Sequence, residues 1–254
     1  MLKVNSRKNI FIFPIDKCEV IWYNNMRKEL FRKGAVKKLI KAAIFDFDGT
    51  LANTLPDLKI TINLTRESYG LAPVTEDDVL LHVNNHIPAY IRLMIPELGD
   101  ETLWNEAEQR YYAFYDEHYL AETVPYGGIP EILAKLKADG IKLAVMSNKN
   151  HSHILKMVDA LFPNTFDSVW GTIPEVPAKP DPARAFLIAD EFGADIEKIA
   201  FIGDSDVDMI TACNAKAVPI GVSWGYRPAE VLRENGAKYT PVDADELYEM
   251  LKSL

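Results

Sequence analysis

The chain has 254 residues, 48% of them apolar, which suffices to bury a large core and excludes a disordered tail or a disulfide-stapled miniprotein. The 28 Lys and Arg against 37 Asp and Glu give a formal charge of −9, which argues against a general binder of nucleic acid or of anionic membrane surfaces. Two cysteines, Cys18 and Cys213, are too few for a disulfide framework and match no metal spacing, as expected of a reducing, cytoplasmic setting.

Residues 1–41 hold eleven Lys and Arg and three acids, a net +8, which leaves 17 basic and 34 acidic residues, −17, for the remainder. Their weak periodicity and opposite charge mark them as a basic N-terminal extension, with Met26 as an alternative start. The run Ile10 to Ile15 is short and broken by Pro14, so neither a secretory signal nor a membrane span is expected. Next come three apolar runs that each end abruptly in a polar group: Ala42 to Phe45 before Asp46, Ile141 to Met146 before Ser147, and Ile199 to Gly203 before Asp204. Each reads as a strand buried on both faces, hence part of a parallel sheet. Helices are expected between Pro130 and Gly140, Pro182 and Gly193, and Pro228 and Gly236, where proline opens and glycine closes an apolar periodicity. Such alternation predicts a three-layer, Rossmann-like α/β core over residues 42–56 and 125–254, with ligands bound beyond the carboxyl ends of the strands. Residues 57–124 lack buried-strand runs, and Leu58, Ile62, Thr65 and Tyr69 recur at helical spacing, so this stretch reads as an inserted helical cap.

Asp46-Phe47-Asp48-Gly49-Thr50-Leu51 places two carboxylates just past a strand and then a glycine that lets the backbone turn. A solvated turn is the plain alternative for such a triplet. Asp204 and Asp208 supply further carboxylates at the end of another strand, and crowded carboxylates call for a divalent cation. Hard oxygen donors with no nearby His or Cys favour Mg²⁺ over zinc. Ser147 and Asn148 are neutral donors suited to phosphoryl oxygens, and Lys179, between Ala178 and Pro180, is a cation that can balance carboxylates and phosphate. Taken singly, such a serine is more often a cap and such a lysine surface charge.

These four stretches together resemble the four motifs of the haloacid dehalogenase superfamily, over about residues 42–250. Within its phosphatase branch they are most similar to the phosphoglycolate phosphatase group, to which Val124 to Pro130 and Trp224-Gly225-Tyr226-Arg227 also look alike. The resemblance implies a nucleophile at Asp46, a general acid/base at Asp48, and phosphate contacts from Thr50, Ser147, Asn148 and Lys179. It also implies Mg²⁺ on Asp46, the Asp48 main-chain carbonyl and Asp204, with Asp208 behind them. The expected partner is a small phosphorylated metabolite, with no nucleic acid and no membrane, acted on by a monomer or homodimer through an aspartyl-phosphate intermediate. The carboxylate at Asp48 sets the chain apart from the dehalogenases. The absence of lysine from residues 60–124 sets it apart from the phosphonate-cleaving branch. A phosphomutase of the β-phosphoglucomutase type and a non-catalytic binder on the same scaffold are the alternatives.

Two departures stand out. His82-Val83-Asn84-Asn85-His86 replaces the Gly-x-Gly turn usual in the cap, which makes Asn84 and Asn85 candidate specificity residues. Lys216 stands where a glycine commonly closes the last motif's helix, so either a left-handed lysine or a different helix end is expected. His151 and His153 read as exposed loop polarity, Asp206 as solvent-facing, Tyr111, Tyr112, Phe114 and Tyr115 as cap packing, and Cys213 as a small buried helix residue.

Overall fold

The computed structural model describes residues 40–83 and 86–254. The first apolar run forms β1 (Ala42–Phe45), buried at every position, and Ile40 just ahead of it is already fully enclosed. After it come β2 (Ala52–Asn53), the helices α1 (Leu55–Glu67), α2 (Glu76–His82), α3 (Ile87–Met94) and α4 (Glu101–His118), and β3 (Val124–Pro125). The chain then alternates through α5 (Ile129–Ala138), β4 (Lys142–Asn150), α6 (His151–Leu161), β5 (Ser168–Thr172), α7 (Ala183–Phe192) and β6 (Ile199–Gly203). It ends with α8 (Asp206–Ala215), β7 (Val218–Gly221), α9 (Ala229–Glu234) and α10 (Ala244–Ser253).

Five strands form a parallel sheet in the order β5-β4-β1-β6-β7. Successive residues point to opposite faces, so Phe45, Val145 and Ile202 enter one apolar cluster with α5, α6 and α10. Ile44, Ala144 and Phe201 enter the other, with α7 and α8. This is the three-layer α/β architecture expected from the buried runs. Phe45 pairs with Val145 on one side and Ile202 on the other, so the polar residues after β1, β4 and β6 emerge side by side. The chain leaves β1 towards β4 and β5 and later crosses back to β6, which makes the carboxyl end of β1 the point where strand order reverses.

Helices α1 to α4 build a separate apolar cluster around Leu58, Ile62, Val79, Ile91 and Tyr111. The chain passes into and out of them through the antiparallel pair β2 and β3, Ala52 opposite Pro125. Asp57, buried in the first turn of α1, accepts hydrogen bonds from the Glu122 and Thr123 main-chain N–H groups and from the Thr123 hydroxyl. A carboxylate at that position also meets the positive end of the helix.

Several sequence expectations are corrected. β4 does not stop before Ser147: pairing with β5 slips after Met146 and resumes at Asn150 opposite Thr172, so Ser147 to Lys149 form an irregular stretch within the strand. Cys213 is exposed, because it lies on the outward side of α8. His151 and His153 open α6 rather than lying in a loop, and His153 is buried. His82 ends α2, and His86 caps α3 by accepting from the Ala89 N–H. Lys216 does take the left-handed conformation, at φ 61°. The calls on residues 1–39, Cys18 and Met26 among them, and on Asn84 and Asn85 lie outside the described residues.

Candidate active site

The residues that end the central strands meet at one point. Asp46 follows β1, its N–H bonded to the Ile202 carbonyl at 2.8 Å, while Asp204 follows β6 and Asp208 sits in the first turn of α8. One carboxylate oxygen from each lies within 4.8 Å of the others, and all three side chains are buried. The Lys179 Nζ reaches Asp46 Oδ1 at 2.8 Å and Asp208 Oδ1 at 2.7 Å. Three carboxylates around one ammonium leave two negative charges in excess.

The imbalance bears on Asp46, Asp204 and Lys179. Burial, and next the Asp208 charge, push Asp46 well above the usual carboxylate range, against the pull of Lys179. Burial also raises Asp204, to about 7, with Asp208 adding to the shift and hydrogen bonds from the Tyr226 N–H and the Thr50 hydroxyl opposing it. Lys179 is itself desolvated, but Asp208 and Asp46 outweigh that and hold its ammonium more firmly charged than usual. The lysine's shift is that of an ion pair and the aspartate's is not, because one cation is shared among three anions. A buried all-oxygen cluster that binds protons for want of positive charge fits a hard divalent ion such as Mg²⁺.

Close packing explains the two glycines around Asp204. A Cβ on Gly49 would lie 2.2 Å from the Asp204 carboxylate, and one on Gly225 would lie 2.2 Å from the Asp204 Cβ. Gly49 also holds φ +79°, a conformation that side chains resist. The turn after β1 and the segment Trp224 to Arg227 therefore close on Asp204 from two sides. Tyr226 donates its N–H to Asp204 Oδ2 at 2.7 Å, and Trp224 donates its ring N–H to the Thr50 carbonyl.

Asp48 stands apart from the trio. Its Oδ1 accepts from the Thr54 hydroxyl at 2.5 Å and from the Lys149 Nζ at 3.1 Å, and Thr54 in turn meets the Tyr226 hydroxyl at 3.0 Å. A cavity of about 80 Å³ runs between Asp46, Asp48, Ser147 and Lys179 on the strand side and Leu58, Val83 and Tyr111 on the helical side. Ser147 is buried at its edge, with its hydroxyl accepting from the Lys149 N–H. Asn148 also borders the cavity, yet its side-chain amide is engaged with the Lys179 main chain at both ends and with Arg184. Thr50 lies behind the cavity, its hydroxyl donating to Asp204 Oδ1 at 3.0 Å. Asn148 and Thr50 thus hold other site residues in place.

A model of the family described as haloacid dehalogenase-like hydrolase matches residues 43–222. The chain belongs to this family. The phosphoglycolate phosphatase of Chromobacterium violaceum is 30% identical to this haloacid dehalogenase-like hydrolase over 223 residues, 85% of this chain and 98% of that one. The crystal structure of a predicted phosphoglycolate phosphatase from Haemophilus somnus superposes with a TM-score of 0.78 at 25% identity, over 85% of this chain and 99% of the other. A Thermotoga maritima structure with a provisional β-phosphoglucomutase name reaches 0.69 at 24% identity, over 85% and 100%, a likeness of fold alone. The hydrolase is a phosphatase, a phosphoric monoester hydrolase.

The sequence reading overlooked Lys149, Thr54, Tyr226 and Arg184 as parts of this site. Arg184 is completely buried and donates to the Ser147 carbonyl and to Asn148, its pKa drawn down to about 10 by that burial. The available signal was position: Lys149 directly follows Ser147-Asn148, and Tyr226 lies in a stretch already noted for its resemblance.

Proposed function

We propose that this phosphatase is Mg²⁺-dependent and hydrolyses a small phosphorylated metabolite through an aspartyl-phosphate intermediate, an acyl phosphate on Asp46. The observation that carries the reading is the division of labour between two neighbouring carboxylates. Asp46 lies within the anionic trio, and Asp48, two residues on, faces the same cavity but is held outside it by Thr54 and Lys149.

Asp46, the Asp48 main-chain carbonyl and Asp204 would hold the ion, and Asp208 would steady Lys179 through the 2.7 Å contact. When bound, Mg²⁺ neutralises charge on the phosphoryl oxygens and so lets a carboxylate approach them. An Asp46 oxygen attacks phosphorus in line with the ester oxygen, and the bond from phosphorus to the leaving oxygen breaks as Asp48 gives that oxygen its proton. Asp48, now ionised, takes a proton from water. The resulting hydroxide displaces Asp46 from phosphorus and releases inorganic phosphate. Lys179 and Ser147 offer donors to the phosphoryl group from the strand side. The helices α1 to α4 serve as the cap that limits water and selects the leaving group.

Trapping tests the nucleophile: with Mg²⁺ and beryllium trifluoride the full chain should form a stable adduct on Asp46, and Asp46→Asn should form none. Asp48→Asn should keep Mg²⁺ affinity while turnover of a phosphomonoester falls by about 10²–10⁴. Near-normal turnover in Asp48→Asn, or sugar-phosphate isomerisation without net phosphate release, overturns the reading.

A further inference from the structure

Arg184, in the first turn of α7, is completely buried, and a cation taken from water costs free energy unless its donors are met. Its hydrogen-bond partners among the described residues are all neutral. Nε donates to the Pro177 carbonyl at 3.2 Å, Nη1 to the Ser147 carbonyl at 2.6 Å and Nη2 to the Asn148 side-chain oxygen at 2.8 Å. Those three acceptors belong to the two segments that carry Ser147 and Lys179. The loop with Lys179 holds prolines at 177, 180 and 182, which stiffen it and remove three N–H donors, and side chains grip its carbonyls. Arg184 grips that of Pro177, the Asn148 amide that of Lys179 at 3.0 Å, and the Asn214 amide that of Pro180 at 3.0 Å. The Asn148 oxygen that receives Arg184 also accepts from the Lys179 N–H at 2.8 Å, so the guanidinium fixes the group that fixes Lys179. On its other side it holds Ser147, in the stretch of β4 that slips out of register with β5. One planar fork thus ties together the segments whose ammonium and hydroxyl border the cavity beside Asp46.

We propose that Arg184 is a positioning residue of this phosphatase, which sets the spacing between Ser147 and Lys179 to that of a phosphoryl group in transfer. The inference rests on the phosphatase reading and adds a residue that acts only through others. Two donors on separate segments stabilise a transferring group only when their spacing is fixed beforehand, and a displacement of about 1 Å costs about 100-fold in rate. A lysine at this position would keep the charge on a flexible stem and could not bridge the same three acceptors in one plane.

The test uses the full chain with Mg²⁺, 2-phosphoglycolate and 4-nitrophenyl phosphate. Arg184→Met should lower kcat by about 100-fold with KM changed by less than about threefold, and should weaken inhibition by orthovanadate, a mimic of the transferring group, by a similar factor. Mg²⁺ affinity, read by calorimetry, should not fall, because neither Asp46 nor Asp204 is bonded to Arg184. Arg184→Lys should lose about tenfold in kcat, less than the methionine variant, and it carries the test if that variant does not fold. In a Lys179→Met background, Arg184→Met should cost less than about tenfold more, since residues that act as a unit are not additive. Normal kcat and normal orthovanadate inhibition in a folded variant whose melting temperature alone has dropped overturn the inference and make Arg184 a stabilising residue. A further loss of about 100-fold on top of Lys179→Met, or a loss matched by weaker Mg²⁺ binding, overturns it too. A wild type that releases no phosphate from either ester overturns the phosphatase reading as well, a failure seen before any variant is made.

Discussion

Asp204 shows how much a single side chain depends on its surroundings: it has no exposed surface, its carboxylate is capped by Thr50 and Tyr226, and two glycines press against it. Folding raises its pKa from the ordinary 3.8 to about 7, so folded protein holds a proton there that unfolded chain releases. Its contribution to stability is therefore present at pH below about 4 and is lost as pH rises through about 7. Asp46 shifts in the same direction. A divalent ion bound there would compete for these carboxylates with the protons and release them. The melting temperature of metal-free protein should accordingly fall between about pH 5 and pH 8, and the increase on adding Mg²⁺ should be larger at the higher pH. Calorimetry with and without a chelator checks both, and a Mg²⁺ effect independent of pH would contradict the assignment.

At the scale of elements, the helix after the last motif carries a site residue at its start and a conformational cost at its end. Ser205 and Asp208 form a reciprocal cap at the start of α8, so Asp208 serves the helix through one oxygen and Lys179 through the other. At the far end Lys216 occupies the left-handed position that usually falls to glycine, with its N–H bonded to the Cys213 carbonyl. The left-handed conformation costs a residue with a Cβ about 1–2 kcal/mol, and the greater freedom of unfolded glycine takes back about 0.4–1 kcal/mol. Lys216→Gly should therefore stabilise by about 0.5–1 kcal/mol, read as a higher urea midpoint with an unchanged slope, and turnover should stay the same because the side chain is exposed and distant from the cavity. The irregular stretch of β4 is the other element with consequences. By slipping between Met146 and Asn150 it turns Ser147, Asn148 and Lys149 to the cavity, which a regular strand, alternating faces, would not do.

Across the whole molecule, every residue assigned to the site lies downstream of residue 40, and Ile40 and Lys41 already belong to the body through burial and main-chain bonds to Lys198 and Lys142. Removing residues 1–39 should leave phosphate release unchanged, and a loss of more than about tenfold would show that the basic extension takes part in turnover. The sequence alone determined the parallel sheet, because strands buried on both faces must be apolar throughout and their ends are marked by the first polar residue: Phe45 before Asp46, Gly203 before Asp204. It also placed Asp46, Ser147 and Asp204 at one site, since a parallel sheet brings the carboxyl ends of its strands together whatever the intervening chain, whereas Lys179 and Asp208 joined them through charge balance and the resemblance of their motifs. Only the tertiary structure decided what Thr50, Asn148, Lys149 and Tyr226 do. Their hydrogen bonds run to residues 31 to 172 positions away in Lys179, Tyr115 and Thr54, or, for Thr50, 154 away in Asp204. A polar side chain has the same composition whether it faces substrate or braces a neighbour. The choice is made when the helices of residues 55–118 and the segment 224–227 pack over the strand ends, which no local pattern encodes.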